Sequence, residues 1–174
     1  MKKLLLVIDY QHDFIDGSLG FQKAPLLAEG IKRLIKSFRD AKDDIIFTMD
    51  THHSDYLTTQ EGTMLPVMHC IEDTQGYEIY QALKEVMKKE DIIFKKPTFG
   101  SLELGNYLKD KSYGVIEIVG LVTNICVISN AIIAKSALPE AKIIIHRNLC
   151  ASFSDELHEK ALDVMESLHM HIVD

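Results

Sequence analysis

"LLLVIDYQHDF", residues 4–14, opens with an unbroken apolar run and then turns to charge at Asp9. Behind Lys2 and Lys3 it has the beginning of a secretory leader. The run from Leu4 to Ile8 is too short for a leader's apolar core of roughly 7–15 residues, however, and it ends in a carboxylate. Continuous apolar character without alternation suits a strand covered on both faces, which is the pattern of a parallel sheet. Asp9 then sits at that strand's carboxyl end.

Working outward, the same texture returns in "IIFTM" (45–49), "DIIF" (91–94), "VIEIVG" (115–120), "KIIIH" (142–146) and "HMHIV" (169–173). Helical patterns separate these runs: 25–42, 77–89, 102–110, the segment from Cys126 onward, and 154–168. In the first, Leu27, Ile31, Leu34, Ile35 and Phe38 share one face, with Lys and Arg opposite. Ser154, followed by Asp155 and Glu156, reads as an N-cap with acidic residues in the first turn. Alternation of this kind predicts an α/β fold: a three-layer α/β/α, doubly wound sheet of six mainly parallel strands, with one domain over residues 1–174. The long irregular stretch from Asp50 to about Gly76 is of a length that is usually functional in a compact domain.

Composition narrows the function classes. The 174 residues carry a net charge of −7, which argues against a nucleic-acid partner. No stretch approaches the ~20 apolar residues of a membrane span. Three cysteines without framework spacing point to a reducing compartment, so a cytoplasmic location is expected. Apolar helix faces on such a sheet permit a homo-oligomer, a dimer or tetramer.

Ligands of open parallel sheets bind outside the carboxyl ends of the strands. There this chain places Asp9, Asp50, the pair Lys95 and Lys96, and, just past the fourth strand, Cys126. Each has an ordinary structural explanation alone; together they bring two carboxylates, a lysine and a thiol to one rim. Cys126 falls in the first turn of its helix, where the dipole can lower a thiol pKa from about 8.5 into the ~3.5–7.5 range. Cys70 and Cys150 lack that strand-to-helix placement and read as structural. In the long loop, Asp50 and His52 are spaced to leave an extended chain on one side, and His69 returns later, with Asp55 and Glu61 between. Such a set suits a divalent ion, Zn, Fe or Mn.

With these residues in place, the chain resembles the isochorismatase-like cysteine hydrolases, the superfamily that includes nicotinamidases and related amidases. Four motifs carry the resemblance over nearly the whole chain: "LLVIDYQHDFIDGSL" (5–19), the loop "MDTHHSDYLTTQEGTMLPVMHCIEDTQG" (49–76), "FKKPTFGS" (94–101) and "GLVTNICV" (120–127). It implies Asp9 as general base, Lys96 rather than Lys95 as the charge-stabilising lysine, and Cys126 as nucleophile toward a small amide, through a thioester. It implies an oxyanion hole of backbone N–H groups near a cis peptide, expected at Val122–Thr123. Phe14, Leu65 and Phe99 map to the substrate pocket, Leu65 standing where nicotinamidases often have Trp. Asp50, His52 and His69 map to the metal ligands, with Glu61 preferred as the fourth over Asp55 or His53. In metal-dependent members the ion organises the ring-nitrogen end of the site. Two alternatives stand beside a nicotinamidase-like amidase: a hydrolase of another carbamoyl or ureido compound, and a non-catalytic metal- or ligand-binding member of the fold.

Overall fold

The computed structural model describes residues 2–174. Six strands, β1 (Lys3–Ile8), β2 (Asp44–Asp50), β3 (Ile92–Lys96), β4 (Val115–Leu121), β5 (Lys142–Ala151) and β6 (His171–Val173), form one sheet in the order β3-β2-β1-β4-β5-β6. Every pairing is parallel. One apolar cluster joins Leu5, Val7, Phe47 and Val119 to Phe14 and Ile15 of α1 (His12–Ile15) and to Ile31, Ile35 and Phe38 of α2 (Ala28–Asp40). The other joins Leu4, Leu6, Ile116 and Ile143 to α5 (Leu102–Leu108), α6 (Ile128–Ala137) and α7 (Asp155–Ser167). Sheet residues of alternate parity thus feed two cores, the physical meaning of an apolar run that does not alternate.

The order has a consequence for the site. The chain lays β1, β2 and β3 in one direction, then crosses to put β4 on the free side of β1. Between the carboxyl ends of β1 and β4 lies the crevice where doubly wound sheets take their ligands. Asp9 follows β1 and Cys126 follows β4.

Three expectations change. The runs at 91–94 and 169–173 become β3 and β6, which are edge strands, so Ile92, Ile93 and Val173 are exposed rather than covered on both faces. Most of 77–89 is not helical: α4 spans only Gln81–Lys84. Upstream of it Ile79 bridges Gln11, the Tyr77 carbonyl accepts from the Gln11 amide, and Glu78 N–H closes a turn on the Gln75 carbonyl at 3.1 Å, so this stretch is not helical. The long loop carries a helical turn at Tyr56–Thr58 and a short α3 (Gln60–Met64), capped by Thr59 through the N–H of Gly62 at 3.0 Å. Ser154 does cap α7, accepting from Leu157 N–H. No helix among the described residues is long and apolar enough to cross a membrane.

Candidate active site

Asp9 leaves the end of β1 at φ 46°, a left-handed conformation that Asp tolerates better than most residues. Its Oδ1 accepts the Thr48 hydroxyl at 2.6 Å, and its Oδ2 pairs with Lys96 Nζ at 2.6 Å. Lys96 stands beside Asp50 in the β2–β3 register, and its stem crosses the end of β2 to reach Asp9 beyond β1. The same ammonium contacts the Thr98 carbonyl at 3.0 Å, Asp50 Oδ1 at 3.4 Å and Cys126 Sγ at 3.5 Å. Asp9, Lys96 and Cys126 are all buried, at 0%, 1% and 3% exposure. Lys95, the other member of the pair, points to the surface and binds Glu72. The structure therefore brings Asp9, Lys96 and Cys126 around one nitrogen and leaves Lys95 out.

The electrostatics differ from the helix-dipole expectation. Burial pushes the Cys126 thiol well above its ordinary pKa; Lys96 opposes this, while Asp9 and Asp50 reinforce it. The resting group is a thiol. Burial likewise raises the Asp9 carboxyl, against the pull of Lys96. Burial opposes charge on Lys96, but the carboxylates of Asp9 and Asp50 outweigh it and raise its pKa. The geometry of the turn explains part of the difference. Cys126 lies in a wide helical turn, Thr123–Val127, that precedes α6 rather than in the first regular turn of that helix.

A second correction concerns the backbone here. The cis peptide bond is Leu121–Val122, one bond before the expected Val122–Thr123. β4 remains paired through Leu121, opposite Ala151, and the Val122 carbonyl is committed to the N–H groups of Ile125 and Val127 at 3.0 and 3.1 Å. Val122 is thus the first residue off the sheet and Thr123 already belongs to the turn.

Beside this cluster, Asp50, His52, Glu61 and His69 each offer one ligand atom, and the four atoms lie within 4.8 Å of one another. Nε2 of His52 and of His69 are 3.1 and 3.3 Å from Asp50 Oδ2, and 3.6 and 3.8 Å from Glu61 Oε1. His69 donates Nδ1–H to the Val67 carbonyl at 2.8 Å, which turns Nε2 toward the carboxylates. Burial opposes charge on Asp50, yet Lys96 and the two imidazoles hold its carboxyl well below the usual range. Burial and Asp50 raise Glu61, and Asp50 raises His69 against the effect of burial. Two nitrogens and two carboxylates converging in a largely buried space, with too little positive charge among them, fit a divalent cation. His53 and Asp55 are absent from the group. Burial raises both other cysteines, Cys150 up to about 12 and Cys70 higher still.

A family model described as the isochorismatase domain matches residues 3–174. The chain belongs to the isochorismatase family. An uncharacterized isochorismatase family protein of Bacillus subtilis (strain 168) is 29% identical over 173 residues, 93% of each chain. The crystal structure of a nicotinamidase/pyrazinamidase of Bacillus subtilis matches with a TM-score of 0.86 at 29% identity, covering both chains completely. A pyrazinamidase of Pyrococcus horikoshii in complex with zinc matches with a TM-score of 0.87 at 23% identity, over 100% of this chain and 99% of that one, a likeness of fold.

In this member of the isochorismatase family, a small pocket opens above the thiol. Phe14, Leu65 and Phe99 line it as expected, together with Leu19, Val122, Ile125 and Phe153, while Asp50, Glu61, His69 and Cys126 supply its polar end. The sequence reading had not singled out Leu19, Ile125 or Phe153. Phe153 follows the carboxyl end of β5, so the strand-end rule that found Asp9 and Lys96 could have found it. Asn130 was also missed. Its amide donates to the carbonyls of Phe99 and Cys126 at 3.0 and 2.8 Å and its oxygen accepts from Ser101 N–H, which ties the pocket wall to the thiol's turn. Nothing local in the sequence marks that bond.

Proposed function

We propose that this chain is a cysteine amidohydrolase, nicotinamidase-like in layout, that releases ammonia from a small amide bound against Phe14, Leu65 and Phe99. The observation that carries the reading is the buried ammonium of Lys96, 2.6 Å from Asp9 and 3.5 Å from the Cys126 sulfur. A binding module has no use for a desolvated acid, base and thiol around one point. The B. subtilis nicotinamidase/pyrazinamidase, alike over its whole length, supports the amide as the bond attacked.

With the thiol protonated at rest, attack needs a base. Asp9, its pKa raised by burial, takes the Cys126 proton as sulfur adds to the amide carbon. Lys96 stabilises the thiolate as it forms and keeps the Asp9 site from accumulating unpaired charge. Backbone N–H groups of the turn around Val122, Thr123 and Cys126 face the developing oxyanion, where fixed dipoles act without reorganising. The proton then passes from Asp9 to the departing nitrogen, the C–N bond breaks, and ammonia leaves a thioester on Cys126. Water, deprotonated by Asp9, cleaves the thioester to the acid and returns the proton to sulfur. Asp50, His52, Glu61 and His69 are the residues that would hold a divalent ion, Zn, Fe or Mn, which supplies a Lewis-acid anchor for a ring nitrogen of the substrate. Such an anchor and the aromatic walls favour a flat heteroaromatic amide, and the carbamoyl or ureido alternative lacks that complement.

Ammonia release from nicotinamide, pyrazinamide and a set of carbamoyl compounds, with zinc, iron or manganese supplied, tests the reading. The expected result is turnover of the heteroaromatic amides that disappears in Cys126→Ala. No ammonia from any amide, or undiminished release by Cys126→Ala, would overturn it.

A further inference from the structure

The segment after β1 contains two polar side chains with no part in the chemistry above, Gln11 and Asp13, and both are spent on the main chain that carries the metal donors. Gln11 is fully buried. Its Oε1 accepts the Asp50 N–H at 2.8 Å, and its Nε2 donates to the Asp50 carbonyl at 2.9 Å and to the Tyr77 carbonyl at 2.8 Å. The carboxamide thus pairs with both polar groups of the Asp50 backbone, as a neighbouring strand would, just where β2 runs out.

Asp13 does the equivalent at the far end of the loop. Its Oδ2 accepts the Cys70 N–H at 2.7 Å, and its Oδ1 accepts the Ser18 N–H at 3.1 Å. Cys70 sits at φ 47°, a left-handed conformation costly for a residue with a Cβ, so the chain there needs to be held. Its carbonyl accepts the His52 N–H at 2.9 Å. One carboxylate therefore fixes the residue next to His69 and, through that residue's other end, the backbone of His52. A Cβ at Gly76 would stand 2.1 Å from Asp13 Oδ2, so the loop closes over this carboxylate only because Gly76 has none. Phe14, next in the chain after Asp13, packs its ring 5.7 Å from that of His69.

We infer that Gln11 and Asp13 are positioning residues for the cation site: Gln11 sets Asp50, and Asp13 sets His69 and His52 through Cys70. The inference rests on the metal-donor reading above. Four donors drawn from a strand end, a loop, a short helix and a return segment share no local scaffold, and the short segment Gln11–Phe14 meets the Asp50 backbone and the His69 ring directly and the His52 backbone through Cys70. Neither side chain reaches a ligand atom, so their effect is on donor geometry. Outer partners of this kind are typically worth about 10–100-fold in metal affinity.

The test uses the full chain with Asp13→Asn and Gln11→Glu, both of near-unchanged volume. Asp13→Asn keeps one acceptor where two N–H groups need one each; Gln11→Glu turns an oxygen on the Asp50 and Tyr77 carbonyls. Zinc affinity is read by competition with a chromophoric chelator, and donor geometry by the visible spectrum of the cobalt(II) form. Leu108→Ala, a fully buried change in α5 outside the site, serves as a stability control. The expected result is zinc binding weakened about 10–100-fold in both variants with an altered cobalt spectrum, and an unchanged zinc constant in Leu108→Ala despite its lower melting temperature. Wild-type affinity and spectrum in the folded variants would overturn the inference. So would an equal loss in Leu108→Ala at a matched drop in melting temperature. Failure of the unmodified chain to bind zinc or cobalt would instead overturn the metal reading, and the inference with it.

Discussion

Replacing Lys96 by Met removes one charge from a buried cluster. Lys96 is 1% exposed and meets Asp9 at 2.6 Å, the Thr98 carbonyl at 3.0 Å and Asp50 at 3.4 Å. Removing one partner of a buried pair typically costs about 3–5 kcal/mol, because the other charge is left desolvated and alone. A surface pair such as Lys23 with Asp155, both more than half exposed, sets the contrast at about 0–1 kcal/mol. Lys96→Met is therefore expected to lose about 3–5 kcal/mol in urea unfolding at neutral pH, and Lys23→Met under about 1. Asp9→Asn combined with Lys96→Met should recover part of the loss, since no unpaired Asp9 charge remains. The pH dependence has a definite sign. Without Lys96, burial and Asp50 act on Asp9 against the Thr48 hydrogen bond alone, so its folded pKa, already raised, goes higher. The folded chain then binds a proton that the unfolded chain, with an Asp pKa near 3.9, does not. Stability of the single variant relative to the double should rise as pH falls through the folded pKa, levelling off below about 4. A loss under about 1 kcal/mol for Lys96→Met, or a double variant less stable than the single at neutral pH, would refute the buried-charge argument.

Three other outcomes follow from the geometry. Zinc added to the metal-free chain should raise the unfolding free energy by about 2.7 kcal/mol at a hundredfold excess over its Kd, read as an upward shift in melting temperature, and Asp50→Ala should abolish the shift. Phe153→Ala, which removes one pocket wall without touching the Asp9–Lys96–Cys126 cluster, should raise KM for a heteroaromatic amide more than it lowers kcat; a pure kcat loss would contradict its place in the pocket. Glu117 is held below the usual carboxylate range by His146 at 2.7 Å, so its contribution is present above about pH 4.3 and lost as pH falls through the lowered folded value. Glu117→Gln should flatten that limb of the stability–pH curve, measured by urea unfolding.

The parallel sheet was legible because its signal is local and redundant: Leu4–Ile8, Ile45–Met49 and Val115–Gly120 each announce a strand buried on both faces. Strand ends located Asp9, Asp50, the pair Lys95 and Lys96, and Cys126, since the topology delivers them to one rim; the resemblance to the family chose Lys96 from the pair. What stayed hidden depends on contacts through space. Residues 77–89 have helical periodicity, yet the bond from Gln11 to the Tyr77 carbonyl and the bridge to Ile79 hold their start out of a helix. Ile92 and Ile93 look like core residues, and only the strand order shows that β3 is an edge. Placement near a helix start suggested an acidic thiol for Cys126, whereas burial, a property of the assembled fold, drives it the other way. Gln11, Asp13 and Asn130 act on backbone groups up to 66 residues distant, which no spacing rule registers.

The central claim is that Cys126 carries the acyl group of the substrate. Rapid acid quench during turnover of nicotinamide or pyrazinamide, followed by intact-protein mass spectrometry and peptide mapping, tests it most directly. The account predicts a mass increase equal to the acyl group on the peptide containing Cys126, removed by hydroxylamine and absent in Cys126→Ser. Steady ammonia release by Cys126→Ala, or an acyl group mapped to Cys70 or Cys150, would contradict it.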